Sequence, residues 1–230
     1  MTSHFHANSN AASTQHRQRR EAPGNTSSVL VTADVGALAR VFDDAINVIV
    51  LERALTIDMA SGARALLSAD GFELKLAIAP DDRGRELLAG RLESRALLDD
   101  VMFWAGVIAD ITDAEMVGVR LARHDAAMCP RFHVDRVLVR LCTAYCGSGT
   151  EYLADADADR DRLGFAAGGQ PDETSGLLRE GATIARASTG AVVVLKGEAW
   201  PGNAGRGAVH RSPATSSDAP RLVLTLDALG

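Results

Sequence analysis

Two kinds of hydrophobic periodicity divide the chain near residue 115. Upstream, Asp34 stands before Val35, Leu38, Val41 and Phe42, which predicts a capped helix with one apolar side. Ile46 to Leu51 reads as a strand, and Thr56 to Ala69 as a short helix. Phe72 to Ile78 alternates apolar and polar positions, the mark of an amphipathic strand. After Pro80-Asp81-Asp82 the apolar positions Leu87, Leu88, Leu92, Leu97, Leu98, Val101, Met102 and Trp104 predict a long helical stretch over about 83–111. It is too apolar for a solvated helix and is expected to pack across the outside of a β core. Downstream of Met116 the segments Val117–Ala122, Phe132–Tyr145, Thr183–Lys196 and Arg221–Leu226 are β-branched or alternating. Gly147-Ser148-Gly149, Gly168-Gly169 and Pro201-Gly202-Asn203 punctuate them. Helices followed by strands predict an α+β chain. Its single domain, 28–230, is expected to hold a helical N-terminal part over 28–115 and a β sandwich or barrel over 116–230. Residues 1–27 are polar and are expected to form a disordered tail, with His4, His6 and His16 solvated rather than ligating.

Composition narrows the class. Of 230 residues, 47% are hydrophobic and 23% charged, which is ordinary for a globular protein. A net charge of −6 argues against a nucleic-acid binder. The basic residues are nearly all Arg; only Lys75 and Lys196 are lysines. Three cysteines, Cys129, Cys142 and Cys146, form no disulfide framework, and the first residues carry no apolar signal segment. Together with the lack of a membrane-length apolar run, these place the chain in the cytoplasm as an expectation.

The chemistry concentrates in His133-Val134-Asp135, in the distant His210, and in Arg221 about ten residues beyond it. Two histidines and a carboxylate can cap one face of a metal ion and leave the other positions open. In a strand, His133 and Asp135 would point to the same face. Arg221 opens the apolar run Leu222–Leu226 and offers a fixed cation to a carboxylate. Iron fits an open two-histidine, one-carboxylate set; zinc with the same donors and a water would make a hydrolytic site.

This order of residues resembles the Fe(II)- and 2-oxoglutarate-dependent oxygenases over roughly residues 116–228. The stretches Cys129–Arg136 and Ala208–Pro213 also resemble the uncharacterised bacterial domain-of-unknown-function family 1826, over most of the chain. The oxygenase resemblance implies a double-stranded β-helix of the jelly-roll or cupin kind. It implies His133, Asp135 and His210 as ligands of Fe(II), and Arg221 as the clamp on the distal carboxylate of 2-oxoglutarate. It also implies oxidation of a C–H bond in a small-molecule or peptide substrate. Two rival readings stay open. One is a non-catalytic metal-binding or metal-sensing β-barrel linked to metal homeostasis. The other is a zinc-dependent cupin-like enzyme.

Other residues are secondary candidates. Arg140 is an alternative clamp, although a regular strand would turn it away from His133. Thr143 and Tyr145 offer hydroxyls to the same carboxylate. Arg131 and Arg136 flank the ligands and suit an acidic substrate group. A zinc site on the cysteines is disfavoured by their four-residue spacing. The acidic run Asp155–Asp161 has Arg160 and Ala166 where a calcium loop needs Gly and Glu. It is expected to be a surface loop placed to act as a mobile lid.

Overall fold

The structure, a computed structural model, describes residues 27–230, so the tail expected at the N-terminus lies outside it except for Ser27. The elements run β1 (Val29–Thr32), β2 (Val48–Leu51), α1 (Ile57–Leu67), β3 (Glu73–Ile78), α2 (Asp82–Ala89), α3 (Arg95–Thr112) and β4 (Met116–His124). There follow β5 (Val139–Cys146), β6 (Glu151–Tyr152), β7 (Ala185–Arg186), β8 (Val192–Lys196), β9 (His210–Arg211) and β10 (Arg221–Leu229). The fold is α+β, as the pattern predicts.

Seven strands form one sheet in the order β1-β2-β8-β5-β10-β4-β3, and three form a second in the order β7-β6-β9. Only β1 and β2 run parallel in the large sheet. Alternation divides its two faces. Leu222, Leu224 and Leu226 on β10, Val117, Val119 and Leu121 on β4, and Val139 and Leu141 on β5 pack against Leu97, Val101, Trp104 and Ile108 of α3. On the other face Cys142, Val193 and Leu195 meet Tyr152 of the small sheet. The site lies on this second face.

Three expectations need correction. The helical stretch is two helices, because Gly90 ends α2 and the Ser94 side chain accepts the Leu97 N–H to start α3. The segment 28–115 is not only helical. Its β1 and β2 extend one edge of the large sheet and β3 extends the other, so the β core reaches beyond 116–230. Finally, His133 and Asp135 do not lie in a regular strand; His133 makes one isolated antiparallel bridge, to His210. Among the described residues, no helix is long and apolar enough to cross a membrane.

Candidate metal centre

The bridge between His133 and His210 builds the site. Each backbone N–H donates to the other residue's carbonyl at 3.0 Å, and the two rings stand 4.4 Å apart. A shared local rule aims them. The Nδ1 of His133 bonds the Arg131 carbonyl at 2.9 Å, and that of His210 the Ala208 carbonyl at 3.0 Å. Nδ1 therefore carries the proton, and each Nε2 presents a lone pair. Asp135 completes the set: its carboxylate lies 3.7 Å from His133 Nε2 and 3.2 Å from His210 Nε2. One donor atom from each of the three falls within 4.8 Å of the others, and no other such cluster occurs among the described residues.

The donor set fits a first-row divalent metal. Adjacent ligands at metal bonds of about 2.1 Å stand roughly 3 Å apart. The His210–Asp135 distance already matches this, and the His133 side is wider, so its ring must close in on a bound ion. Burial and the neighbouring His210 hold the His133 imidazole below its usual pKa, which favours the neutral, ligating form. Burial alone would raise the Asp135 pKa. Contact with the His210 ring when it is protonated, and the Arg140 charge, outweigh it, and the carboxyl sits below its usual range.

Arg140 is the residue whose direction the sequence misjudges. The chain turns between Asp135 and the start of β5, which brings the Arg140 side chain back to the site. Its Nη1 donates to Asp135 at 2.8 Å, while Nε and Nη2 grip Asp227 of β10 at 2.8 Å each. It orients the candidate ligand and is already paired, so it is not a free clamp. Asp227 itself was legible in principle: Arg221, Val223, Thr225 and Asp227 alternate along β10 on one face.

Arg221 is different. It is buried, 4% exposed, and lines a narrow cleft with His133, His210, Cys142, Thr150 and Thr225. Its Nε donates to the Ser148 carbonyl at 2.6 Å. Among the described residues no carboxylate comes within salt-bridge distance of it. Burial draws its pKa down, as expected for a charge without a partner. His124, its register partner on β4, is held below its usual pKa by burial and by the charges of Arg120 and Arg221. It therefore stays neutral beside the guanidinium. Sequence reading missed His124 and Thr150, because only the fold brings them to this cleft, and it missed Asp227, which holds Arg140.

The remaining candidates lie elsewhere. Thr143 and Tyr145 face the helices, because they share the parity of Val139 and Leu141 on β5. The Tyr145 hydroxyl donates to Asp100 of α3 at 2.6 Å, and Thr143 donates to the Gly190 carbonyl at 3.3 Å. Neither reaches the cleft. Arg131 is tied to the buried Asp172 at 2.7 Å and to the Gln170 carbonyl. It anchors the 153–184 loop rather than facing a substrate. Arg136 is exposed and lines a surface groove beside His133. The acidic run is pinned, not free: Asp155 accepts from Arg160 at 2.6 Å and from Asn47 at 3.0 Å. Cys129, Cys142 and Cys146 are free thiols, and burial pushes Cys142 up to about 12.

Three convergent donors beside a buried cation define a candidate two-histidine, one-carboxylate centre in an α+β protein. Residues 32–227 match the family described as "Protein of unknown function (DUF1826)", and the chain belongs to that family. No curated protein matches the sequence. Among solved structures, the rice dioxygenase for auxin oxidation is similar in fold. It is 14% identical with a TM-score of 0.55, over 88% of this chain and 82% of its own. Dioxygenase for auxin oxidation 1 of Arabidopsis thaliana, solved with 2-oxoglutarate, is 11% identical with a TM-score of 0.51. That match covers 88% of this chain and 92% of the Arabidopsis chain.

Proposed function

We propose that the protein is an Fe(II)- and 2-oxoglutarate-dependent oxygenase, with its two sheets forming a double-stranded β-helix. The carrying observation is Arg221, a buried guanidinium without a carboxylate partner among the described residues, in one cleft with His133 and His210. An enclosed cation of this kind calls for an anion, and a dicarboxylic keto acid supplies one end for Arg221 and another for the metal.

In this reading His133, Asp135 and His210 hold Fe(II), and Arg221 holds the distal carboxylate of 2-oxoglutarate. The iron would supply oxidative decarboxylation of the keto acid coupled to oxidation of a substrate C–H bond. The chain's own residues orient and enclose. The carbonyls of Arg131 and Ala208 fix the imidazole tautomers. Arg140 donates to Oδ2 of Asp135, the oxygen that also faces His210, and so fixes the orientation of that carboxylate toward the metal. The rival zinc hydrolase uses the same three donors, but it gives Arg221 no task. A non-catalytic metal sensor likewise needs no buried anion clamp.

The test is titration of 2-oxoglutarate into anaerobic, Fe(II)-loaded protein, following the metal-to-ligand charge-transfer band, with succinate formation measured after air is admitted. A saturable band and succinate are expected. A band without any succinate turns the reading toward the non-catalytic rival, and absence of the band removes the co-substrate altogether.

A further inference from the structure

The metal cleft adjoins a larger groove of about 630 Å³, lined by Lys75, Ala77, Gly118, Arg120, Thr225 and Leu229 among others. Arg140 and Met128 border both spaces, and Arg140 is the residue that holds Asp135. The groove thus starts at Arg140, which holds the candidate ligand, and runs across β10 and β4 to the edge strand β3. It occupies the face opposite the helices, since Leu74, Ile78, Val117 and Leu226, which alternate with its lining residues, belong to the helix-side core.

Gly118 is the informative residue. It sits inside a nine-residue strand, where glycine weakens the strand and leaves nothing to pack. Its backbone has no need of glycine: it is absent from the positive-φ residues. A Cβ there would meet Leu229 Cδ2 at 3.4 Å and the Asp227 carbonyl at 3.6 Å, which is ordinary contact. Its cross-strand partner is Ala77, also small and exposed. The two make a flat floor, flush with the backbone, of the kind left where a ligand approaches closely.

Charge marks one end of that floor. Lys75 and Arg120 are direct cross-strand partners, and like charges so placed repel. Glu73 pairs with Arg120 at 2.8 Å. Among the described residues no carboxylate lies within salt-bridge distance of Lys75. The rim therefore keeps a positive charge unmatched by the protein.

We propose that this groove binds the substrate, and that the substrate is a planar, apolar small molecule carrying a carboxylate. The ring lies on Ala77 and Gly118, the carboxylate meets Lys75, and the far edge points to Arg140 and the metal. The assignment of the groove as a substrate site rests on the oxygenase reading; the ligand chemistry rests on the groove itself. The probe is 2-naphthoate, titrated into the full-length, metal-free protein by calorimetry, with 2-naphthamide as its uncharged match. Saturable naphthoate binding is expected, with the amide about tenfold weaker or worse. Lys75→Gln should bring naphthoate down to the level of the amide and leave the amide unchanged. Gly118→Leu should abolish binding of both. Ala77→Leu fills the same floor from an exposed position and serves where Gly118→Leu does not fold. Equal affinity for acid and amide, no saturable binding, or unchanged binding in a folded floor variant each overturns the proposal. The charge-transfer band keeps the two readings separate. It should persist in Ala77→Leu, and its absence from the parent protein would sink the oxygenase reading while leaving probe binding intact.

Discussion

Arg221 and Arg140 face the same cleft with the same charge, and their partners set them apart. Arg140 is held by two carboxylates, Asp135 and Asp227, whereas among the described residues Arg221 bonds the Ser148 carbonyl and no carboxylate. Removing one partner of a buried charge pair typically costs about 2–5 kcal/mol. Arg221→Ala should therefore weaken 2-oxoglutarate binding by roughly 30-fold or more and leave Fe(II) affinity unchanged. Arg221→Lys should recover part of the loss, because an ammonium cannot make the two-pronged contact. The charge-transfer titration reads both variants. Arg140→Ala should do the reverse. Partners that orient a ligand are typically worth about 10–100-fold in metal affinity, and chelator competition should show a loss of that order. If 2-oxoglutarate affinity falls instead and metal affinity holds, Arg140 is the clamp and the roles are exchanged.

At the scale of elements, a short strand carries the candidate ligand His210 and charge ladders hold that strand. β9 is two residues long and is fixed from both sides, by the backbone bridge to His133 and by Arg211. Arg211 reaches Glu151 of β6 at 2.7 Å and the buried Asp172 at 3.0 Å. Glu151 also takes Arg186 of β7, so one carboxylate ties all three strands of the small sheet. Burial alone would raise the Glu151 pKa, but the two arginines outweigh it and hold the carboxyl below the usual carboxylate range. A group whose folded pKa is lowered stabilises the fold above its unfolded pKa, and that contribution is lost as pH falls through the folded value. Urea unfolding should accordingly show a stability drop between neutral pH and pH 3. Glu151→Gln should lower stability at pH 7 and shrink that drop. An unchanged pH dependence in Glu151→Gln would show that other carboxylates govern acid unfolding.

For the whole molecule, the ligands come from opposite ends of a long loop-rich stretch and meet only when the two sheets form. Metal and co-substrate should therefore bind the folded state alone, and a ligand at 100 times its dissociation constant adds about 2.7 kcal/mol. Melting temperature should rise by several degrees with Fe(II) and 2-oxoglutarate under anaerobic conditions, and fall back on chelation. No shift would mean that the donors do not close around a metal. How much of this was legible in the sequence follows from range. Local pattern sufficed for the α+β class, for the helix cap at Asp34, and for Arg221 at the head of an apolar strand. It sufficed also to single out His133, Asp135 and His210, because donor chemistry belongs to the residue itself. The faces of β5 were not legible. Alternation assigns sides only once a strand's first residue is known, and β5 starts at Val139 after a turn that no local pattern sets apart. That single offset turns Arg140 toward the site and Thr143 and Tyr145 toward the helices. Pairing decided the rest. The joining of β1, β2 and β3 to the large sheet, the bridge between His133 and His210, and the meeting of Arg140 with Asp227 are contacts between distant segments. The sequence supplied the donors and the cation; only long-range hydrogen bonding and burial placed them around one point.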